Sequence, residues 1–389
     1  MGDSFTEKTH TSWSSRIGAS LKGLLLGLLF IVVGVVLLFW NEGRAVQTHQ
    51  ALEESQGQVI TIDAQSPATQ MDGQLVHITG EAVSDQTLED DLLPISIAGL
   101  KLQRYVETYQ WEERKESEED TNWGGGTDTT TTYTYSKVWT DELIDSSRFK
   151  HPQGHENPAE LFYTTQVWTA NDIAIGQYSL SDSHKNEINN FQTLPLPETL
   201  ALPKQVKKTS NTLYVGKNPN KPNIGDQRIR FSFIPAQAYS AIGDASSSGL
   251  VEHVASNGHS IALLQPGIRT ADAMFEQAKR DNMILTWILR LVGSILLVTA
   301  LNMILSPLSV LADVVPLIGA IVRTGTGIVS FLLGITLALA TISVAWIFYR
   351  PLVGLTLLVV AAGFIYLLKR KSKQASQVTA DSKTAVIAE

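Results

Sequence analysis

The sequence predicts a multi-pass α-helical membrane protein with four spans, one before and three after a large, mixed α+β, strand-rich domain outside the cytoplasm. Two observations support this fold class. Long apolar runs are confined to the two ends of the 389-residue chain, and roughly 240 residues of ordinary soluble composition separate them. Because a helix of about 20 apolar residues crosses the hydrocarbon core of a bilayer, runs of this length predict membrane spans.

The first predicted transmembrane helix covers residues 23–40 and follows a polar cytoplasmic tail, residues 1–22. The apolar run ends in Phe39-Trp40-Asn41-Glu42, without the Ala-x-Ala pattern of a signal-peptidase site. We therefore expect an uncleaved signal anchor, with the Trp40 ring at the level of the lipid headgroups.

Three further apolar runs predict the second, third and fourth spans, at residues 283–305, 326–348 and 351–368. A basic C-terminal tail, residues 369–389, and the basic residues before the first span place both termini in the cytoplasm by the positive-inside tendency. An even number of spans agrees with this placement. The domain at residues 41–282 is therefore predicted to lie outside the cytoplasm.

Within residues 306–325, the stretch Leu308–Val322 is apolar but only 15 residues long, and it contains Asp313 and Pro316. A stretch of this length is too short to span a bilayer, which favours a re-entrant or interfacial segment on the cytoplasmic face over a bent extension of the neighbouring helices. Arg350-Pro351 leaves no room for a loop before the fourth span, so we expect Pro351 to be the first residue of that helix.

Segments rich in Tyr, Thr, Val and Trp predict strands throughout the central domain. Residues 102–111 and 133–140 are predicted to form a long antiparallel hairpin whose mobile acidic tip is the Gly/Thr-rich stretch 112–132. A helix over 270–282, with Thr270 as its N-cap, leads into the second span. Further strands are predicted at residues 74–82, 161–169, 213–216 and 228–234.

The composition argues against several classes of function. A net charge of −8 is unfavourable for binding nucleic acid, and the absence of cysteine excludes disulfides and thiolate chemistry. His151 and His155 are separated by Pro152 and Gly154, which disfavour the helix that would bring the two imidazoles together on a metal. The acidic residues of 112–120 lack the pattern of a calcium-binding loop. We therefore predict no enzymatic activity, no cofactor and no metal.

Two features of the apolar runs are candidates for helix packing or for a functional charge. Gly23, Gly27 and Gly34 share one helical face, as small residues do where helices approach closely. Arg290 lies about two turns inside the second span, where a charge indicates either a functional group or an interfacial anchor whose head reaches the headgroups.

Several short motifs follow one another along the chain. They are Asn41-Glu42-Gly43-Arg44-Ala45, Leu100-Lys101-Leu102-x-Arg104, Tyr133-x-Tyr135-x-x-x-Trp139, Asn218-Pro219-x-x-Pro222, Thr286-Trp287-x-x-Arg290, Asp313-x-x-Pro316 and Trp346-x-Phe348-Tyr349-Arg350-Pro351. In this order, and with the one-plus-three layout, they resemble the transmembrane protein 43 family, also called LUMA.

The resemblance implies a self-associating four-span membrane protein with a large extracytoplasmic domain and no established enzymatic activity. Eukaryotic members lie in the endoplasmic reticulum and inner nuclear membrane, with a lumenal domain, and are linked to the nuclear envelope through emerin and lamins. For a bacterial version we expect the cell inner membrane and a periplasmic domain. The candidate structural or interaction residues are Gly23, Gly27, Gly34, Asn41, Glu42, Arg44, Arg290, Asp313, Trp346, Tyr349, Arg350 and Pro351.

The sequence therefore predicts a membrane scaffold that self-associates and whose extracytoplasmic domain binds unidentified proteins or lipids to organise membrane complexes. The alternative is a ligand- or lipid-binding sensor, or a transport accessory, that couples the aqueous domain to the helices. In both cases the expected partners are the lipid bilayer, further copies of the chain and other membrane proteins or lipids, but not nucleic acid.

Overall fold

A computed structural model of the protein describes residues 3–66 and 71–351. Its helices are α1 (Trp13–Gln58), α2 (Asp182–Asn186), α3 (Ala271–Ala312) and α4 (Pro316–Tyr349). All except the short α2 are long and apolar enough to cross a membrane. This confirms a membrane protein, whereas four spans and the one-plus-three order stay predictions. The predicted fourth span and basic tail, 351–368 and 369–389, lie outside the described residues apart from Pro351.

The chain divides into two compact units. The first, which we call the β domain, comprises residues 3–12, 49–66 and 71–281 of the described chain. The second, which we call the helical unit, comprises residues 13–48 and 282–351.

The long helices of the chain extend beyond the predicted spans. The first apolar run was expected to be helical over 23–40, but α1 begins at Trp13 and ends at Gln58. Good helix formers such as Ala51, Leu52 and Glu53 follow the apolar run, so nothing in the local sequence stops the helix at its polar end. In the same way, the predicted helix over 270–282 continues into the second span as the single helix α3.

The prediction of a separate re-entrant segment at residues 306–325 is wrong. Helix α3 continues to Ala312 with Pro307 inside it, and α4 begins at Pro316. Proline suits the first turn of a helix because its φ is already helical and its missing N–H would have no partner there. The segment is therefore the end of one helix, a short turn containing Asp313, and the start of the next.

The strands of the described chain all belong to the β domain. In chain order they are β1 (Asp3–Thr11), β2 (Ile60–Thr61), β3 (Leu75–Val83), β4 (Thr87–Glu89), β5 (Ser96–Ala98), β6 (Lys101–Thr121), β7 (Thr127–Thr140), β8 (Gln166–Thr169), β9 (Ala174–Ile175), β10 (Tyr178–Ser179), β11 (Gln192–Thr193), β12 (Val206–Thr209), β13 (Thr212–Val215), β14 (Gln227–Ile234), β15 (Gln237–Ser246), β16 (Gly249–Val251), β17 (His253–Val254), β18 (Ser260–Ile261) and β19 (Leu263–Pro266). The predicted strands at 74–82, 213–216 and 228–234 are confirmed as β3, β13 and β14, whereas 161–169 shortens to β8.

Two sheets build most of the β domain. An eight-stranded sheet has the order β1-β7-β6-β14-β13-β12, with β8 on β6 and β11 on β14. A seven-stranded sheet has the order β10-β9-β3-β15-β16, with β2 on β3 and β19 on β15. One hydrophobic core draws on both sheets, with Leu102 and Phe231 from the first and Ile78 and Ala241 from the second.

The predicted hairpin is confirmed, but its tip is far smaller than expected. Strands β6 and β7 pair from Thr108↔Thr140 to Thr121↔Thr127, so the stretch 112–132 is mostly strand. Successive threonines in β7 favour the extended backbone because branching at Cβ restricts the side chain in a helix. The turn itself includes Gly124 and Gly125, whose φ angles of 90° and 82° suit glycine.

The tail at residues 1–22 is not a free polar segment. Residues Asp3–Thr11 form β1, which pairs antiparallel with β7 from Asp3↔Tyr135 to Thr11↔Thr127. Paired strands lie about 5 Å apart, so the start of the chain belongs to the sheet of the β domain. The predicted placement of residues 1–22 and 41–282 on opposite sides of the membrane stays a prediction.

The loop that contains His151 and His155 helps to hold β1. The ring of His151 lies 4.0 Å from that of Phe5, and His155 Nε2 lies 3.4 Å from Asp3 Oδ2. Lys150 Nζ adds an ion pair with Glu7 at 2.7 Å. The two histidines, predicted to be loop residues without a ligand, therefore contact the first strand.

A cysteine pair can test the register of β1 against β7. Thr6 Oγ1 and Thr132 Oγ1 lie 3.4 Å apart on one face, so cysteines at these positions are expected to form a disulfide. The chain contains no other cysteine, and joined peptides can be identified by mass spectrometry after mild oxidation. The control pair, Thr6→Cys with Thr134→Cys, is two residues out of register, about 7–8 Å apart. Equal cross-linking of both pairs, or none, would contradict the pairing.

Candidate functional site

Glu42 and Arg290 form a bidentate ion pair within the helical unit. Arg290 Nε donates to Glu42 Oε1 at 2.6 Å, and an Arg290 terminal nitrogen donates to Oε2 at 2.8 Å. Glu42 is only 2% exposed. Two parallel N–H···O bonds fix the orientation of both groups as well as their separation, so this pair ties α1 to α3.

Two tryptophans surround the ion pair. Trp346 Nε1 in α4 donates to Glu42 Oε2 at 2.8 Å. The guanidinium carbon of Arg290 lies 4.8 Å from the ring centre of Trp287 and 5.7 Å from that of Trp346. Both charges thus have several partners, which is the condition for burying an ion pair without a large net cost. Arg290 is held within the unit by Glu42, and α1, α3 and α4 all reach that carboxylate.

The neighbours of Glu42 on α1 also bond to α3. Asn41 Nδ2 donates to the Thr286 carbonyl at 3.1 Å. Arg44 donates to Asn282 Oδ1 at 2.9 Å and to Thr286 Oγ1 at 3.0 Å. Asn282 Nδ2 returns a bond to the Ala45 carbonyl at 3.0 Å. The Asn41-to-Ala45 block therefore acts as one polar contact surface between two helices.

Gly43 allows the end of α4 to approach α1. A Cβ atom at this position would lie 2.6 Å from Tyr349 Cζ, closer than real contacts permit. The Tyr349 ring also lies 5.2 Å from that of Phe39. Arg350 caps α4 through its backbone, donating its N–H to the Trp346 carbonyl at 2.8 Å. The structure thus brings Asn41, Glu42, Arg44, Arg290, Trp346 and Tyr349 together.

Two of the three predicted packing glycines lie against α3. A Cβ at Gly27 would be 2.7 Å from the Ala300 carbonyl oxygen, and one at Gly34 would be 2.8 Å from Leu297 Cδ2. A Cβ at Gly23 would have no atom of the described residues within 4 Å. Close packing is confirmed for Gly27 and Gly34, but within one chain, so they no longer argue for contacts between copies.

Asp313 is the centre of a second charged cluster in the helical unit. It is 1% exposed and accepts hydrogen bonds from Arg16 at 2.5 Å and from Arg323 at 2.9 Å. Gly319 completes this site, because a Cβ there would collide with the Asp313 carboxylate. Asp313 could be predicted as a candidate from the sequence, whereas its two arginine partners were not predicted. A search for cations near the apolar runs would have found them, because a carboxylate within an apolar segment needs a partner.

Asp313→Ala is expected to destabilise the helical unit by about 1–3 kcal/mol. The substitution leaves Arg16, whose side chain is 16% exposed, without its carboxylate. The measurement is the thermal denaturation of the full chain in detergent. Arg323→Ala is the matched control and should cost less, because that side chain is 56% exposed and screened by solvent. An equal or larger loss in the control would contradict the central role of Asp313.

These features define the class of protein: a membrane protein in which buried charged and aromatic side chains join the long helices, and which carries a large two-sheet domain. Its residues 108–351 match the family model described as "Transmembrane protein 43". The chain belongs to the transmembrane protein 43 family. The match includes Arg290, Asp313 and Trp346 of the two clusters.

Known relatives match nearly the whole chain. Transmembrane protein 43 of Homo sapiens is 31% identical over 348 residues, with 87% of each chain covered. That of Mus musculus is 30% identical over 358 residues, with 89% of each chain covered. The homologue of Drosophila melanogaster is 31% identical, with 87% of this chain and 92% of the relative covered. No solved structure gives a significant match.

Proposed function

We propose that the protein is an integral membrane scaffold without enzymatic activity, which self-associates and binds proteins or lipids through its β domain. One observation carries this proposal: the buried charges of the helical unit neutralise one another. Glu42 pairs with Arg290, and Asp313 pairs with Arg16 and Arg323. Such pairing favours a fixed bundle that anchors a domain, whereas a transport route usually has polar groups lining a path.

The proposed location is the cell inner membrane, with the β domain in the periplasm; for a eukaryotic chain it is the endoplasmic reticulum and inner nuclear membrane. Labelling tests the side of the domain. Trp123 is highly exposed at the tip of the hairpin, so Trp123→Cys should react with an impermeant maleimide added outside intact cells or spheroplasts. Labelling only after the membrane is opened would place the domain on the other side.

Self-association is expected to use a groove beside Gly23, where an added Cβ would meet no described atom within 4 Å. Gly23 lines a groove of about 400 Å³ together with Ser20, Asn302 and Ser306, a set of small and polar side chains suited to helix contacts. Gly23→Leu should shift the detergent-purified protein towards monomer in sedimentation. The control is Gly18→Leu, where an added Cβ likewise meets no described atom within 4 Å, at a position that does not line the groove.

The decisive experiment for the scaffold is cross-linking in native membranes, followed by identification of the attached proteins and lipids. We expect linked copies of the chain and a reproducible set of partners. A strictly monomeric protein with no co-purifying protein or lipid would overturn the proposal.

A cavity in the β domain supports the second candidate, a ligand-binding sensor. Its volume is about 660 Å³, within the range of small-molecule sites. Arg269, Arg280, Glu276 and Asp281 are among the residues that line it, which suits a polar ligand with charges of both signs. Native mass spectrometry of the purified chain should then detect a bound small molecule that is lost in Arg269→Ala. Absence of any such molecule from the wild-type chain would remove this candidate.

A further inference from the structure

The edge of β6 that faces away from β7 is covered only along its first half. Strand β14 pairs with β6 up to Thr108. At Tyr109 a turn takes over, since Tyr109 N–H donates to the Asp226 carbonyl at 2.8 Å. At Trp111 the Asn157 side chain bonds to both backbone groups, at 2.7 and 2.9 Å. Along β6, the partner of this edge therefore changes from a paired strand to a turn and then to a single side chain.

Beyond Trp111 no described strand pairs with the same edge, which we call the open edge. In an antiparallel ladder alternate residues direct their N–H and C=O to opposite edges, so the positions that continue the series of Tyr109 and Trp111 also face away from β7. Within the described part of the chain, no hydrogen bond reaches the backbone groups of these five positions: Glu113, Lys115, Ser117, Glu119 and Thr121. The open edge is about 30 Å long.

The opposite edge of the same hairpin already carries an added strand. The polar segment Asp3–Thr11 pairs with β7 along all of its residues, although neither face of the segment is buried. Its side chains contribute ion pairs and ring contacts with the loop near His155. Backbone pairing together with complementary polar side chains is therefore sufficient to hold a strand on this hairpin.

The charge of the open edge selects among possible occupants. Residues 112–121 contain six acidic and two basic side chains, and 114–120 are all exposed. Charged residues on an edge strand oppose pairing between identical edges. The same charges attract a strand of opposite sign. Trp123, which is 82% exposed at the end of the edge, adds an apolar contact for the occupant.

We propose that the open edge of β6, residues 113–121, is a docking site for an extended basic segment of a partner protein, which adds to the sheet as a further strand. Main-chain hydrogen bonds would hold the segment, and its lysines or arginines would select this edge. The inference rests on the proposed scaffold function, because it names the kind of partner that the β domain holds.

The test measures binding of a fluorescent peptide to the full chain in detergent. The peptide alternates lysine with threonine and valine over about nine residues, the length of the open edge. A second peptide of the same sequence carries N-methyl groups on the amides that would pair. We expect the first peptide to bind and the methylated one to bind about tenfold more weakly or not at all. Equal binding of both peptides would overturn strand addition, because charge attraction alone would then explain the binding.

A proline on the open edge tests the same hydrogen bonds from the side of the protein. The N–H of Ser117 faces the open edge, so Ser117→Pro removes no hydrogen bond to β7 and is tolerated as on other edge strands. Ser117→Ala is the control, because both variants lose the contact between Ser117 Oγ and Thr131 Oγ1 at 3.1 Å. We expect wild-type binding in Ser117→Ala and about tenfold weaker binding in Ser117→Pro. Unchanged binding in Ser117→Pro would contradict the site.

Failure of the docking site and failure of the scaffold proposal give different experimental results. If the peptide does not bind but cross-linking in native membranes still recovers partners, the scaffold stands and another surface holds them. If cross-linking recovers no partner, the scaffold proposal itself is wrong.

Discussion

Glu42→Ala is expected to lower the stability of the helical unit by about 3–5 kcal/mol. The substitution removes the acceptor of two hydrogen bonds from Arg290 and one from Trp346. Arg290 would then be left with its charge against two tryptophan rings and without an anion. An uncompensated charge in a largely buried site costs more than the ion pair contributes, so the loss should exceed that of an exposed salt bridge.

A double-mutant cycle separates the ion pair from the packing around it. Arg290→Ala alone should be similarly destabilising, because among the described residues Glu42 then keeps only the indole N–H of Trp346 as a donor. The double variant should be less damaging than the sum of the two, since neither charge is left alone. Trp346→Phe is the mild control, because it removes one hydrogen bond and keeps a ring. Denaturation midpoints of the full chain in one detergent give the comparison, and additive single losses would contradict direct coupling.

The first three predicted spans agree with the positions of α1, α3 and α4, because the bilayer leaves few alternatives to a long apolar helix. The ends of these helices could not be predicted. Apolar content ends near Trp40, but α1 continues to Gln58, because polar helix formers extend a helix once it is nucleated. The break at Asp313 was also misjudged, since a short turn between two helices and a re-entrant segment give similar hydropathy.

The sequence predicted which residues belong to the candidate site, but not which of them contact one another. Glu42 and Arg290 were both named, yet they are far apart along the chain and only the packing of helices shows that they pair. Arg16 and Arg323 were missed because each looks like an ordinary flanking cation. Strand β1 was missed for another reason: a polar strand with no apolar face gives no period-two signal, and its position depends on the edge that receives it.

Asp90→Ala is expected to have the largest effect in the β domain, a loss of about 3–5 kcal/mol. An Arg104 terminal nitrogen donates to both Asp90 carboxylate oxygens at 2.7 Å, and the two side chains are 2% and 0% exposed. The same carboxylate accepts the backbone N–H groups of Leu92 and Leu93 at 2.8 Å. One substitution therefore leaves a buried cation and two buried amides without their acceptor.

The neighbouring residue supplies the control for this prediction. Asp91 is exposed and accepts one bond, from Trp168 Nε1 at 3.1 Å, so Asp91→Ala should change the melting of the β-sheet signal in circular dichroism only slightly. Asp90→Asn should fall between the two, because an amide oxygen keeps acceptors for Leu92 and Leu93 but loses the charge that Arg104 needs. Combining Asp90→Ala with Arg104→Met should recover part of the loss, since an apolar pair removes the unpaired charge altogether. Arg104 also donates to the Thr164 carbonyl and to Gln166 Oε1. If the double variant melts below Asp90→Ala, these two bonds contribute more to stability than is recovered by removing the unpaired charge.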